Sequence, residues 1–179
     1  MRNWVILHVR TGSEEKVLQV LKEKLKANEY LPFLPTRETP RRCKGIINKE
    51  RKILFSGYIF IKTEIEANLI AGKLKLAFLD TAENKYIYSI LHYGNNKKDV
   101  VIREKERLYL ERLLNSHFCV TGSVGFIEGD LVQITSGALV GMESRIKKIN
   151  RHKREAVVEM EMLGATREVR LMLEIIEKK

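Results

Sequence analysis

The spacing of apolar residues changes once along this chain, from mixed strand-like and helix-like patterns before about residue 115 to strand-like patterns alone after it. Trp4–Val9 (WVILHV) is a run of β-formers and reads as a central strand. Thr11-Gly-Ser-Glu14 then fits a capping box, in which the Thr11 hydroxyl and Glu14 carboxylate satisfy free amides at a helix start. The helix that follows puts Val17, Leu21 and Leu25 on one face, with Leu18 beside them and Lys22, Lys24 and Lys26 elsewhere, and ends near Asn28–Glu29. Tyr30–Pro35 is extended, because residues before proline avoid the α region. Thr36–Lys52 is basic and ambiguous, with Gly45 and Asn48 placed to turn a hairpin. Ile53–Lys62 (ILFSGYIFIK) is the strongest strand signal, Glu64–Tyr93 is irregular, and Val100–Asn115 reads as a second helix with Leu108, Leu110, Leu113 and Leu114 as its apolar residues. Strand, helix, strands, helix is an α+β sandwich.

Beyond it, Asp130–Thr135, Ser144–Ile149, Glu155–Met162 and Thr166–Leu173 are short β-rich segments separated by turn signals at Ser136-Gly137, Asn150–Lys153 and Leu163-Gly164. Within Glu155–Met162, Ala156, Val158, Met160 and Met162 alternate with Val157, Glu159 and Glu161, the pattern of a half-buried strand. Four or five strands in so short a stretch predict a small barrel. The turn-rich stretch NSHFCVTGSVG divides the chain, giving a first domain over 1–114, a linker over 115–124 and a second domain over 125–179.

Composition sharpens this picture. The 179 residues carry 33 Lys+Arg against 23 Asp+Glu, a formal charge of +10, and 44% of positions are hydrophobic, which argues against wholesale disorder. The charge is uneven: residues 123–179 hold 10 basic and 9 acidic side chains, so nearly all the excess lies before them. An anionic partner is expected, nucleic acid before membrane, because no basic amphipathic helix stands out. No apolar run reaches the ~18 residues that span a bilayer, and Trp4–Val9 is too short for a signal-peptide core. Cys43 and Cys119 have neither disulfide-framework nor zinc spacing. These features predict a soluble cytoplasmic protein.

Catalytic patterns are missing: there is no GxSxG, P-loop or HExxH, and no Cys/His pair with an orienting acid. Glu14 and Glu15 read as helix N-terminal charges, and His8 has no second His or Cys at ligand spacing. Neither an enzyme nor a cofactor or metal is expected. Two clusters suggest binding instead. Strand alternation through Ile53–Lys62 would turn Phe55, Ile59 and Ile61 inward and Ser56, Tyr58, Phe60 and Lys62 outward, and exposed Tyr58 and Phe60 would be unusual without a partner. Lys147, Lys148, Arg151, His152, Lys153 and Arg154 crowd around one turn, either a phosphate-binding patch or a solvated turn.

The N-terminal WVILHVRTGSEEKV, then LPFLPTRE, then KILFSGYIFIK resemble the N-terminal (NGN) domain of NusG-type transcription elongation factors. EGDLVQITSGALVGMESRIKKIN resembles a KOW domain, and the two come in the family's order. Two departures stand out: Ser56-Gly57-Tyr58 replaces the usual Pro-Gly-Tyr, and the glycine that defines the KOW motif falls on Ser144. Together with the basic hairpin, they make the chain similar to specialised antiterminators of the LoaP subgroup. The resemblance implies an antiparallel NGN sheet packed with helices, followed by a five-stranded SH3-like barrel. It implies RNA polymerase contact through Leu7, His8, Phe55, Tyr58 and Phe60, DNA contact through Arg10, Lys16, Arg41 and Arg42, and contact of Lys147, Lys148, Arg151, His152, Lys153 and Arg154 with a nascent RNA hairpin. The partners are then RNA polymerase, nascent RNA and non-template DNA, the factor being a monomer without membrane contact. Its function would be processive antitermination, or alternatively housekeeping control of pausing and termination coupled to Rho or the ribosome.

Overall fold

A strand covered on both faces has no need of a polar side, and the computed structural model, which describes residues 1–178, shows this at Trp4–Leu7. In chain order the elements are β1 (Asn3–Val9), α1 (Glu14–Lys24), β2 (Tyr30–Phe33), β3 (Thr36–Cys43), β4 (Ile46–Ile53), β5 (Tyr58–Thr63), α2 (Ala67–Phe78), β6 (Ile87–Ile90) and α3 (Glu104–Leu113). They continue with β7 (Cys119–Val120), β8 (Ser123–Glu128), β9 (Leu131–Ser136), β10 (Ile146–Asn150), β11 (Glu155–Met162) and β12 (Ala165–Lys178). The architecture is α+β. Two units emerge, one of Met1–Pro35 with Phe55–Arg107, the other of Thr36–Leu54 with residues 108–178.

In the first unit, antiparallel strands run in the order β2-β5-β1-β6, so β1 is internal, with Ile6 opposite Phe60 and His8 opposite Tyr58. On one face Val5, Leu7, Val9, Ile59 and Ile61 pack with Val17 and Leu21 of α1 and with Ile70, Leu74 and Phe78 of α2. The i, i+4 spacing of both helical sets makes one stripe each. α1 is shorter than its sequence suggests, because Leu25 is already extended. The capping box does not form. Ser13 precedes the helix without a side-chain cap, and the Glu14 carboxylate instead accepts the Gly12 amide at 2.6 Å and the Gly57 amide at 2.7 Å. The stretch Ile53–Lys62 is likewise not one strand: Ile53 closes β4, and a turn over Leu54–Gly57 leads into β5. Gly57 turns there with φ of +83°. In the segment read as irregular lie α2 and β6.

In the second unit, β3 and β4 form a hairpin across Lys44-Gly45, whose φ values of 48° and 82° make the tight primed turn that suits twisted strands. Asn48 lies inside β4, not in the turn. β7 adds in parallel to the base of β3. The remaining strands form a five-stranded sheet ordered β10-β11-β12-β8-β9. β12 carries it round: Ala165–Met172 pairs with β11, and from Leu173 onward the strand pairs in parallel with β8. The expected barrel is therefore not closed, since β9 and β10 are the two ends of the sheet and share no ladder. Its core holds Ala156, Val158, Met160 and Met162, as the alternation predicts, with Leu171, Leu173, Leu139 and Met142. Among the α3 leucines, Leu110, Leu113 and Leu114 are buried, but Leu108 is exposed. Ser144 sits in a short 3-10 turn outside the left-handed region, so this turn needs no glycine there. The Glu143 carboxylate organises the turn by accepting the Gly141 and Ile134 amides.

Candidate functional site

The five residues expected to meet polymerase do not share one surface. Leu7 points into the helix-covered core and is fully buried. Phe60 does lie on the opposite face from Ile59 and Ile61, but that face is covered as well, and Phe60 is 0% exposed. Its ring centroid stands 5.7 Å from that of Phe33 and 5.6 Å from that of Phe55, with Trp4 edge-on to Phe33 at 5.3 Å. The outward reading of Phe60 is thus corrected: alternation sets the face, not whether the face is open. Phe55 is buried in the same aromatic group.

His8 and Tyr58, paired across β1 and β5, are half-buried and stack at 5.2 Å. Tyr88 of β6 stands edge-on to His8 at 5.0 Å and is 59% exposed. A shift of register between His8 and Val9 leaves Tyr88 as the extra residue of β6. These three rings make an accessible aromatic group with polar tips, the composition of an interface anchor. Sequence reasoning missed Tyr88, although the pattern Ile87-Tyr-Ser-Ile90 within the irregular stretch was a strand signal.

Arg10 and Lys16 are exposed and do come together, around Tyr86. The Arg10 guanidinium lies 6.0 Å from its ring centroid, and the Lys16 and Lys85 ammonium groups at 5.3 and 5.2 Å. Lys16 is tempered by Glu83 at 3.4 Å. Lys85 and Tyr86 were also missed, for the same reason as Tyr88. Arg41 and Arg42 belong to the hairpin of the other unit, where Arg41 pairs with Glu50 at 3.7 Å.

The six basic residues near the last turn separate by role. Lys147 pairs with Glu159 on β11 at 2.8 Å, and Arg154 pairs with Glu174 on β12 at 2.8 Å. Lys148 is exposed on the open edge strand β10. Arg151, His152 and Lys153 occupy the exposed β10–β11 turn and form no ion pair among the described residues. The turn is held by Asn150, whose side-chain oxygen accepts the Lys153 amide at 3.0 Å, and by Arg154 at φ of +51°. Among the described residues no group of His, Cys, Asp and Glu could hold a metal ion, and no helix is long and apolar enough to cross a membrane. Both cysteines are free, Cys43 exposed and Cys119 buried.

A family model described as "Transcription termination factor nusG" matches residues 2–110. The chain belongs to the NusG family. A solved structure titled "Domain interaction in Thermotoga maritima NusG" matches with a TM-score of 0.51 at 23% identity, covering 97% of this chain and 93% of that one. That likeness shows a NusG fold. No curated protein matches the chain. NusG-family proteins are transcription factors that bind RNA polymerase, and the family is not one of enzymes.

Proposed function

We propose that this NusG-family factor is a processive antiterminator resembling the LoaP subgroup, acting as a cytoplasmic monomer. Residues 1–114 would bind the polymerase clamp and residues 125–179, a KOW domain, would bind a nascent RNA hairpin. The observation that carries this reading is the Arg151–Lys153 turn, two exposed cations flanking an exposed imidazole and without carboxylate partners among the described residues, on an otherwise balanced segment. Neutralising such groups within the protein would leave little for phosphates to gain, whereas free cations release counterions when a phosphate arrives. RNA duplexes are held by shape and backbone rather than by base edges, which suits a turn with few aromatic residues, His152 being its one ring.

On the polymerase side, His8, Tyr58 and Tyr88 supply the accessible aromatic group. Arg10 and Lys16 lie on Tyr86, suited to the phosphates of the exposed non-template DNA strand. Antitermination then needs no chemistry. A factor that binds the elongating clamp state better than the paused one shifts the population toward elongation.

The test is read-through of a terminator in transcription by purified polymerase, on templates carrying leader sequences of the source genome. Read-through should rise with the full-length factor on one leader and not on the others. Tyr58→Ala combined with Tyr88→Ala should remove it. Increased termination, or an effect indifferent to the leader, would instead favour the housekeeping role in pausing and termination with Rho or the ribosome.

A further inference from the structure

The β3–β4 hairpin and the β10–β11 turn lie in the same unit and enclose a groove of about 510 Å³. Pro40, Arg42 and Ile47 line it from the hairpin, and His152, Lys153 and Arg154 line it from the turn. The register explains the hairpin wall. Arg42 and Ile47 are directly paired, so their side chains share a face, and Pro40 shares it two residues away. One carboxylate, Glu155, also lines the groove. Arg154 is held by Glu174, whereas Arg42, His152 and Lys153 have no ion pair among the described residues. On the other side of the turn, a second groove of about 370 Å³ is lined by Arg151, His152 and Arg154 together with Glu174, the ion-pair partner of Arg154, and Ile175. Cations therefore continue from the hairpin across the turn.

The hairpin wall is fixed at its base. The Glu38 carboxylate accepts the Gly122 amide at 2.7 Å, the Thr36 amide donates to the Phe118 carbonyl at 2.9 Å, and the Arg37 guanidinium donates to the Arg170 carbonyl. Basic residues on opposite walls, with the His152 imidazole as the one ring between them, match a sugar–phosphate backbone better than a run of unpaired bases, which successive aromatic rings would stack.

We infer that the hairpin and the turn grip one RNA duplex backbone between them, so that Arg42 works with His152 and Lys153 on the same RNA molecule and not on DNA. The inference rests on the reading of the C-terminal residues as RNA-binding, and it extends that surface to a segment more than a hundred residues earlier in the chain.

The probe is an RNA stem-loop of about 20 base pairs, titrated with the full-length protein at several salt concentrations. Arg42→Gln and Lys153→Gln should each weaken binding roughly threefold to tenfold and lower the salt slope by about one, and the double variant should lower it by about two. Ile47→Glu, which puts a carboxylate opposite Arg42, should weaken binding at least as much as Arg42→Gln. A hydroxyl-radical-generating chelate on Cys43, at the end of β3, should cut the bound stem. Loss with Lys153→Gln but none with Arg42→Gln or Ile47→Glu, and no cutting from Cys43, would overturn the shared groove and leave RNA binding by the turn intact. If Lys153→Gln changes nothing, the RNA-binding reading itself fails. Equal affinity for a DNA stem-loop of the same sequence would overturn the assignment to RNA.

Discussion

Glu14 is 3% exposed, and its two carboxylate oxygens are committed to the Gly12 and Gly57 amides, which joins the start of α1 to the turn entering β5. Replacing it with alanine leaves the buried Gly57 amide without its acceptor, at a cost of about 1–3 kcal/mol, and leaves the exposed Gly12 amide to water. Glu14→Ala should therefore lower the urea midpoint of unfolding well beyond Glu15→Ala, whose side chain is exposed. Glu14→Gln should fall between, because an amide oxygen can accept from one glycine while its NH2 faces the other. A Glu14→Ala midpoint equal to that of Glu15→Ala would show that water replaces the carboxylate. The residue type at this position was legible as a helix N-terminal acid, but its second partner was not, because Gly57 lies 43 positions away. Phe60 teaches a related lesson. Its face followed from alternation with Ile59, whereas its burial depends on Phe33 and Phe55, which strand period cannot place.

At the scale of elements, the hairpin Thr36–Ile53 was legible as a hairpin from Gly45, and Lys44-Gly45 does form its turn. Its attachment was not legible, since that depends on single contacts to distant residues. Glu38 is the clearest of these. Burial alone would raise its carboxyl above the ordinary 4.5, but the Gly122 amide and the Lys49 ammonium at 3.0 Å outweigh this and hold it below. Because the folded value is depressed, the contribution of Glu38 is fully present above the ordinary value and is lost as pH falls through the lowered one. On acidification, amide exchange at Gly122 and along Thr36–Thr39 should therefore speed up below about pH 4.5 relative to the β11–β12 ladder. Glu38→Gln should show the faster exchange already at neutral pH and lose the pH dependence. An acid response in Glu38→Gln equal to wild type would assign it to another carboxylate. The missed elements have a common cause too. α2 exposes Leu69 and Leu76, and β6 exposes Tyr88, so apolar residues on the solvent side blurred the periods by which helices and strands are read.

For the whole molecule, the charge asymmetry pointed to nucleic acid, but the structure distributes the cations more finely than the sequence does. Lys147 and Arg154 belong to internal ion pairs, Arg10 and Lys16 gather on Tyr86, and Arg42 faces the turn residues His152 and Lys153. The aromatic group His8, Tyr58 and Tyr88 and the basic turn Arg151–Lys153 thus belong to different units, although Arg10 and Lys16 give the first unit a basic group of its own. Substitutions without shared partners add independently, commonly within about 0.5 kcal/mol. Tyr58→Ala with Tyr88→Ala should weaken polymerase binding by tenfold or more, since anchor rings of this kind carry about 1–2 kcal/mol or more each, while full-length affinity for an RNA stem-loop stays within about twofold. Arg151→Gln with Lys153→Gln should do the reverse, lowering RNA affinity and its salt slope while polymerase binding persists. Paired titrations of the full-length variants against both ligands would measure this. If the aromatic substitutions also lowered RNA affinity, polymerase and RNA binding would be coupled through a shared conformational equilibrium, and a factor with two independent grips would be excluded.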